Sequence, residues 1–491
     1  MKNSIIRIIC GLMVSSMLLT LVACKKDPST ENFGESSSEI VTSGVETDKN
    51  GLEVDNIGED IYYDGRQVGV FGWSGGGEAD FDTTSGTNLS RAVYTRNATV
   101  EDRLGVKLRF NAGTNGGNSV RAEYIATVTT MLSGSSEYDL LAPYSMIPAS
   151  LAIDGYLVDL GEKTQIELEG KPWWSQDIKE NAMINGKVFF MSGPISPKLL
   201  YETFTILVNL DMCDAYMLED PRYLVKENKW TMEKMFEMSR NIGNDVYADG
   251  KDNGDTYGMI MFNTLVDGFV ASNGMRYLEG HIDQTTNKET LQLDAEFNNG
   301  IKTIDLVERI TSAAKTKDVW ITDYADTFFK GNALFMTGCF EFLRVNKDTI
   351  NFNYGYLPYP MADEDQQAYY STAGFPYSMW CIPKASSDSD CAAYVLECLA
   401  SESYRIVQPV VFDDIKFKYS NDTINTEMFD LIVGSMTFDY GRLFNNNFIF
   451  TMAPVWIFRS SVIEGKNFTS SLAGGQEHIS TTLSAINKLF E

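Results

Sequence analysis

The stretch between residues 67 and 110 decides the fold class. It opens with the apolar run QVGVFGW (67–73), continues through a segment with helical apolar spacing (88–104) and ends with the alternating run GVKLRF (105–110). A strand, a helix and a second strand in succession are typical of a βαβ unit, whose two strands pair in parallel. The stretch therefore predicts an α/β fold that begins with a parallel sheet.

The same alternation continues along the chain. Residues 121–132 predict a second helix, and the run YDLLAP (138–143) predicts a third strand. That strand ends in Tyr144 and Ser145, which would lie at the carboxyl edge of the sheet. Open α/β sheets bind ligands in the crevice at this edge. We therefore expect a ligand site beside these two residues.

Composition limits the classes of function. The chain has 491 residues, and its 40 basic and 67 acidic side chains give a formal net charge of −27. A nucleic-acid binder of the usual electrostatic kind is excluded, because phosphates require a basic face. A hydrophobic content of 44% predicts a globular protein with a real core, and the length predicts two or three domains.

Few residues are available for metal or cofactor chemistry. With only two histidines, His281 and His478, a multi-histidine metal site is excluded. The loop 245–255 is rich in carboxylates, but it lacks the spacing and the closing Glu of a calcium loop, so a solvated turn is favoured. No phosphate-binding glycine motif occurs, and no cofactor is expected. Five cysteines lack CxxC spacing and are expected to be buried and unpaired: Cys213, Cys339, Cys381, Cys391 and Cys398.

The N-terminus predicts export. Two basic residues precede a short apolar run (8–20), and Leu-Val-Ala then leads into Cys24. The run is too short to span a bilayer, so residues 1–23 are predicted to be a signal peptide. The order also resembles the lipobox of bacterial lipoproteins, which implies that Cys24 carries the lipid. Residues 24–59 are polar and predict a disordered tether, which places the body at the extracellular face of the cytoplasmic membrane.

Several short motifs follow one another in a characteristic order. They are the hairpin INGK (184–187), WT (230–231), YG (257–258), FxxGxAxxxxG (328–338), LPYP (357–360), PK (383–384) and AA (392–393). In this order they resemble the extracellular solute-binding proteins of ABC importers, of the maltose-binding (family 1) type. The resemblance covers about residues 66–490.

The resemblance implies a two-lobe periplasmic-binding-protein-like fold. Each lobe would be an open, mostly parallel α/β sheet with helices on both faces, and ligand would bind in the cleft between the lobes. The implied division places 60–188 and 326–371 in the first lobe and 189–325 and 372–491 in the second. It also implies a monomer, not an enzyme, that delivers a small solute, most readily a mono- or oligosaccharide, to the subunits of a membrane permease.

Candidate ligand contacts were chosen for sugar chemistry, which needs apolar platforms beside carboxylates, amides or hydroxyls. Trp73, with glycines on both sides, is expected to be half exposed, and one ring of the Trp173–Trp174 pair is expected to face the cleft or solvent. Glu202 opens a predicted strand with Tyr201 and Thr203. The candidates are Trp73, Ser74, Tyr144, Ser145, Trp174, Tyr201, Thr203, Phe340, Glu341, Tyr377 and Trp380. Packing in the core is the alternative for each aromatic residue.

Two other classes of function remain open at this stage. A secreted, lipid-anchored glycoside hydrolase needs only two carboxylates about 5–9 Å apart, and acidic residues are abundant. A lipid-anchored adhesion protein fits the dense α/β pattern less well. No pair of carboxylates is marked by the sequence as catalytic.

Overall fold

Two β-sheets organise the chain in the computed structural model. The structure describes residues 46–74, 86–115, 121–134, 137–298, 300–418 and 422–491. The predicted signal peptide, Cys24 and the glycines of residues 75–77 lie outside the described residues. Residues Thr47–Glu491 form one compact unit.

Ten strands are present among the described residues. They are β1 (Arg66–Ser74), β2 (Val106–Asn115), β3 (Leu140–Ala142), β4 (Phe204–Asn209), β5 (Tyr257–Phe262), β6 (Leu278–Ile282), β7 (Glu289–Leu293), β8 (Val319–Thr322), β9 (Ala333–Cys339) and β10 (Tyr354–Leu357).

Eighteen α-helices accompany the strands in the described part of the chain. They are α1 (Asn88–Leu104), α2 (Arg121–Leu132), α3 (Pro148–Ile153), α4 (Gln176–Ala182), α5 (Pro197–Tyr201), α6 (Leu210–Ala215), α7 (Pro221–Lys226), α8 (Met232–Ser239), α9 (Gly268–Ser272), α10 (Ile301–Ala314), α11 (Asp326–Phe329), α12 (Phe340–Asn346), α13 (Ser389–Glu402), α14 (Gln408–Asp413), α15 (Thr423–Gly434), α16 (Tyr440–Leu443), α17 (Pro454–Ile463) and α18 (Phe468–Leu489). Short 3₁₀ turns cover 160–162, 263–265, 445–447 and 450–452, and π-helical turns cover 403–407 and 414–418.

The predicted βαβ unit is confirmed. Strands β1 and β2 pair in parallel, with Val68 opposite Leu108. The Thr87 side chain accepts a hydrogen bond from the first turn of α1, and Gly105 ends the helix with φ = +61°. Such a left-handed residue suits glycine, because a Cβ would crowd the backbone. Strand β3 pairs in parallel with β1 on its other side, so the first sheet has the order β2-β1-β3.

The second sheet is mixed and has the order β10-β4-β9-β5-β8. Strand β5 pairs in parallel with β8 and with β9, whereas β4 runs antiparallel to β9 and to β10. The start of β4 therefore lies at the same edge as the ends of β5 and β9. This reversal decides which residues can meet at that edge.

Two extended segments, 191–203 and 373–381, run side by side between the sheets, and we call them the crossing segments. Met191 pairs with Trp380 near the first sheet, and Thr203 pairs with Ala373 near the second. Cys381 continues the second segment onto Leu141 of β3. Backbone groups that would otherwise be unpaired in a buried connection satisfy each other here.

The strand pairing corrects the predicted division into lobes. Strands β9 and β10 lie in the second sheet beside β4 and β5, so residues 333–357 do not belong with 60–188. Helix α13, in turn, packs on α1 of the first sheet, although residues 372–491 were assigned to the other lobe. The prediction failed because β9 inserts between β4 and β5, a long-range pairing that no local pattern marks.

The predicted tether is also too long at its C-terminal end. Thr47 pairs with Glu53, and the carboxylate of Asp55 is completely buried against Arg103 at 2.7 Å. Arg405 and the Ser401 hydroxyl also contact Asp55. We call residues 47–57 the N-terminal strap, because these ionic contacts fasten them to α1 and to the end of α13.

Several local predictions are confirmed. Asn185 and Gly186 adopt positive φ values of 52° and 81° between the paired residues Ile184 and Lys187, as expected for an Asn-Gly turn. The Thr231 side chain caps α8. All five described cysteines are unpaired and buried. No helix among the described residues is both long and apolar enough to span a membrane.

We predict that replacing Asp55 with Ala lowers the free energy of unfolding by about 3 kcal/mol, as for a broken buried ion pair. Burial alone would raise the pKa of Asp55, but hydrogen bonds from Arg103 outweigh burial and hold the pKa below its usual value. The contribution of this carboxylate is therefore present above about pH 4 and is lost as the pH falls below it. Urea unfolding of the Asp55→Ala variant at pH 7 and pH 3 measures both effects.

The matched control is Asp326→Ala, which breaks the exposed ion pair with Lys330. It should cost at most about 1 kcal/mol, as is usual for surface pairs. Equal losses in the two variants would show that the N-terminal strap is not fastened as described.

Candidate ligand-binding cavity

A cavity of about 290 Å³ lies where the edges of the two sheets meet. Tyr144 follows β3 of the first sheet, whereas Phe262 and Cys339 end β5 and β9 of the second. Glu202 reaches the same edge because β4 is antiparallel to β9, with Phe204 opposite Cys339. The remaining lining residues are Met146, Thr264, Leu265, Phe342, Gly374, Phe375, Pro376, Asn445, Phe450, Val455, Trp456 and Arg459.

Aromatic rings form much of the wall. Phe262 and Phe342 pack edge to face at 5.2 Å between centroids, and Phe450 lies 4.4 Å from Trp456. The Phe450 side chain is about half exposed at 50%, and Phe262, Phe342 and Trp456 are partly buried. Partly exposed rings in a concave site offer flat apolar faces to a ligand.

A buried ionic network fixes one side of the cavity. Asp267 is fully buried and pairs with Arg442 and, at 2.8 Å, with Arg459. The Arg442 guanidinium lies over the Phe375 ring at 4.3 Å from its centroid, a cation–π contact that fixes the ring. Although burial of Asp267 opposes ionisation, the two arginines hold the pKa of its carboxyl below the usual value. This side of the cavity is therefore ionised and rigid.

Glu202 supplies the carboxylate of the cavity. Its side chain is 8% exposed, and burial raises the pKa of its carboxyl to about 7. The Lys198 ammonium, 3.9 Å away, and Arg344 lower this pKa in part, and Glu341 adds to the rise. A carboxyl group with this pKa changes its charge near neutral pH.

Asn445 adds an amide to the same wall. It begins a 3₁₀ turn after α16 and is 7% exposed. Its Oδ1 atom has no hydrogen-bond partner among the described residues. Buried amide oxygens are nearly always paired, so this one needs a donor from water or a ligand.

Four of the predicted contact residues lie at or directly behind the cavity. Tyr144 lines it. Trp73 is only 5% exposed, which corrects the expected half-exposed platform; its Nε1 donates to Ser378 Oγ at 3.0 Å. Ser145 Oγ donates to the Phe375 carbonyl at 2.6 Å, and Tyr377 hydrogen-bonds to Ser145. Three of these residues therefore hold the second crossing segment in place. Ser74, the last residue of β1, is partly buried.

Three others lie beyond Glu202. Tyr201 is buried under the Arg344 guanidinium, and Thr203 is fully buried and donates to the Leu199 carbonyl at 3.1 Å. Glu341 accepts from Arg344 at 2.6 Å and lies 3.7 Å from Lys198. These residues shape the charge around Glu202 and are not among the lining residues of the cavity.

Three predicted contacts lie in the interior, which corrects their assignment to the cavity. Phe340 and Trp380 are fully buried, and Trp174 is 2% exposed. Trp173 and Trp174 both donate their indole N–H groups to Glu397 of α13, at 2.8 and 2.9 Å. Neither ring of this pair faces solvent, because one buried carboxyl group satisfies both.

Sequence reasoning missed the lining residues that follow the second crossing. Phe375, Asn445, Phe450, Trp456 and Arg459 come from loops, 3₁₀ turns and α17. Only strand ends were searched for ligand contacts, and these residues do not end strands. The Phe-Pro step at 375–376 was the one local signal, because proline favours an extended or turn conformation in the preceding residue.

The carboxylate-rich loop 245–255 is held by its own backbone. Asp245 accepts hydrogen bonds from Asp249 and Gly250, and Asp255 accepts one from Val246 at 2.9 Å. These bonds use the oxygens that a cation would need. Among the described residues, no group of three or more His, Cys, Asp or Glu side chains is arranged to hold a metal ion.

Comparison with known proteins relates the fold to one class. No family model matches the chain, and no curated protein matches it in sequence. Three solved structures are similar. The maltose-binding periplasmic protein MalE of Listeria monocytogenes, in complex with maltose, has 16% identity and a TM-score of 0.54, and covers 86% of this chain and 99% of its own.

The second is an ABC substrate-binding protein of Listeria monocytogenes in complex with cycloalternan, with 13% identity, a TM-score of 0.53 and coverage of 86% of this chain and 100% of its own. The third is UgpB of Mycobacterium tuberculosis in complex with glycerophosphocholine, with 14% identity, a TM-score of 0.53 and coverage of 84% and 98%. These neighbours are binding proteins, and the likeness establishes the fold. The chain has the two-lobe α/β fold of the solute-binding proteins of ABC importers, as predicted.

We predict that Trp73→Ala lowers the free energy of unfolding by about 3–5 kcal/mol, because it empties a buried site and removes the contact with Tyr144, 5.0 Å away between centroids. Trp73→Phe keeps most of the packing, so losing the bond to Ser378 should cost about 1–2 kcal/mol. Chemical unfolding without ligand measures both. A Trp73→Ala variant as stable as the wild type would contradict the burial of the ring.

Proposed function

We propose that the protein is the solute receptor of an ABC importer and that it captures a small carbohydrate in the cavity between the two sheets. It then delivers this solute to the permease subunits in the membrane and acts as a monomer. The observation that carries the proposal is the composition of the cavity wall, in which aromatic faces stand beside a carboxyl group and an amide. Pyranose rings present apolar CH faces and hydroxyl groups to such a wall.

The size of the cavity favours a small solute. Its volume of about 290 Å³ is at the low end of the range of about 300–1,000 Å³ for ligand pockets. The cavity also lies beside the crossing segments, where hinge motion in two-lobe proteins is concentrated. We infer that closure about these segments encloses the solute.

A binding role is favoured over hydrolysis. Glu202 is the only carboxylate among the described lining residues of the cavity. Glycoside hydrolases need two carboxyl groups on either side of the scissile bond. Three of the solved structures with this fold were determined with a small molecule bound, and each contains a binding protein.

Binding is tested by calorimetry with five compounds: glucose, maltose, cellobiose, xylobiose and glycerophosphocholine. We expect at least one sugar to bind without being cleaved. Trp456→Ala should weaken that binding by about 1–3 kcal/mol, roughly 5- to 100-fold, and should change the ligand-free melting temperature little, because the ring is only partly buried.

Trp320→Ala is the matched control. Trp320 is also partly buried but stacks on Tyr257 in the second sheet, away from the lining residues. Its replacement should leave the sugar affinity unchanged. Release of a smaller sugar during the titration would favour a hydrolase, and failure of all five compounds to bind would contradict the proposal.

We further propose that Cys24 carries a lipid that anchors the protein to the extracellular face of the cytoplasmic membrane. The proposal rests on the Leu-Val-Ala-Cys order at 21–24. Cells fed radioactive palmitate should label the wild type and not Cys24→Ala. The variant should also leave the membrane fraction, and a variant that stays bound to the membrane would contradict the anchor.

A further inference from the structure

Two oxygen acceptors in the cavity come from distant parts of the chain. Glu202 follows α5 and lies just before β4, whereas Asn445 follows α16. Both line the cavity, and both side chains are more than nine-tenths buried. Each is therefore a polar group that the fold has removed from bulk water without giving it a strong partner.

The free amide oxygen of Asn445 is unusual for its surroundings. Its Oδ1 has no hydrogen-bond partner among the described residues, although the adjacent Asn446 donates to Ser150 Oγ at 3.0 Å. Leaving a buried acceptor unpaired costs free energy in the ligand-free protein. A group with this cost and no structural contact is suited to a ligand that supplies the missing donor.

Glu202 is held loosely. Its nearest polar neighbours are Lys198 at 3.9 Å and the Cys339 thiol at 4.0 Å, both longer than an ordinary hydrogen bond. Gly374 makes room for the carboxyl group, since a Cβ on Gly374 would lie only 2.9 Å from Oε2. The carboxyl group thus has space on the cavity side and free acceptor positions.

The charged groups around Glu202 belong to four elements. Lys198 lies on α5, Glu341 and Arg344 lie on α12, and Arg459 of α17 lines the same cavity. Cys339 ends β9, and burial raises the pKa of its thiol well above the usual value, so the thiol is neutral. Lys198 is shared between two carboxylates, which limits how strongly it can hold Glu202 ionised.

We propose that Asn445 Oδ1 and the ionised carboxylate of Glu202 accept hydrogen bonds from two hydroxyl groups of the ligand and thereby determine its specificity. This inference rests on the proposed function. The site would select polyhydroxylated ligands with an apolar face and would reject deoxy analogues. Rejection is strong when a missing hydroxyl leaves a buried acceptor unpaired.

The proposal is tested with Asn445→Leu and Glu202→Gln, by calorimetry with glucose, maltose, cellobiose and xylobiose. For each sugar that binds the wild type, Asn445→Leu should weaken binding at least tenfold. Its ligand-free melting temperature should equal or exceed that of the wild type, because an unpaired buried acceptor has been removed. Asn445→Ala serves if the Leu variant does not fold.

Asn446→Leu is the matched control. It removes the hydrogen bond to Ser150 and should lower the melting temperature while leaving the affinity unchanged. A structural role for Asn445 would give the same result in its own variants. That outcome, or unchanged affinity in the variants of both Asn445 and Glu202, would overturn the inference.

The pH profile separates the two acceptors. Because Glu202 has a pKa of about 7 in the free protein, wild-type affinity should rise up to tenfold per pH unit below pH 7 and level off above it. Glu202→Gln should remove this slope, and Asn445→Leu should keep it. An affinity that falls as the pH rises would overturn the role of the ionised carboxylate. A wild-type protein that binds none of the sugars contradicts the proposed function itself.

Discussion

The backbone pairing of the two crossing segments is the constraint on which the rest of the structure depends. Met191 and Trp380 exchange hydrogen bonds of 3.0 and 2.7 Å, and Phe204 donates to the Thr372 carbonyl at 2.8 Å. A single extended connection between two sheets would leave its buried N–H and C=O groups unpaired. Because the segments lie side by side, each supplies the partners of the other.

This pairing also positions the cavity. Residues of the first sheet, including Trp73 and Ser145, hydrogen-bond to the second crossing segment. The first crossing segment leads through α5 to Glu202 and then into β4. The candidate site therefore contains residues from both sides of the hinge, and any change of angle between the sheets would change its shape.

Local sequence patterns predicted the elements well and their long-range arrangement less well. The β1–α1–β2 unit was predictable because apolar spacing and Gly105 act over a few residues. The position of β9 between β4 and β5 was not, since strand order depends on pairing between residues that are far apart in the chain. For the same reason the first sheet was expected to contain strands that in fact complete the second.

The same distinction applies to the candidate site. Tyr144 was predictable because it follows a strand at the carboxyl edge, and Glu202 because it opens one. Asn445 was not, because a 3₁₀ turn after a helix carries no mark of the cavity that it faces. The burial of Trp174 was equally hidden, since it depends on Glu397 more than two hundred residues away.

The N-terminal strap has a mechanical consequence. Asp55 joins the chain entering the body to Arg103 of α1 and to Arg405, which follows α13, so tension applied to the chain before residue 47 reaches the first sheet. Helices α1 and α13 pack on each other and can carry that load together. The second sheet lies outside this line of force. A pull on the N-terminus would thus hold one half of the protein while the other half stays free to turn about the crossing segments.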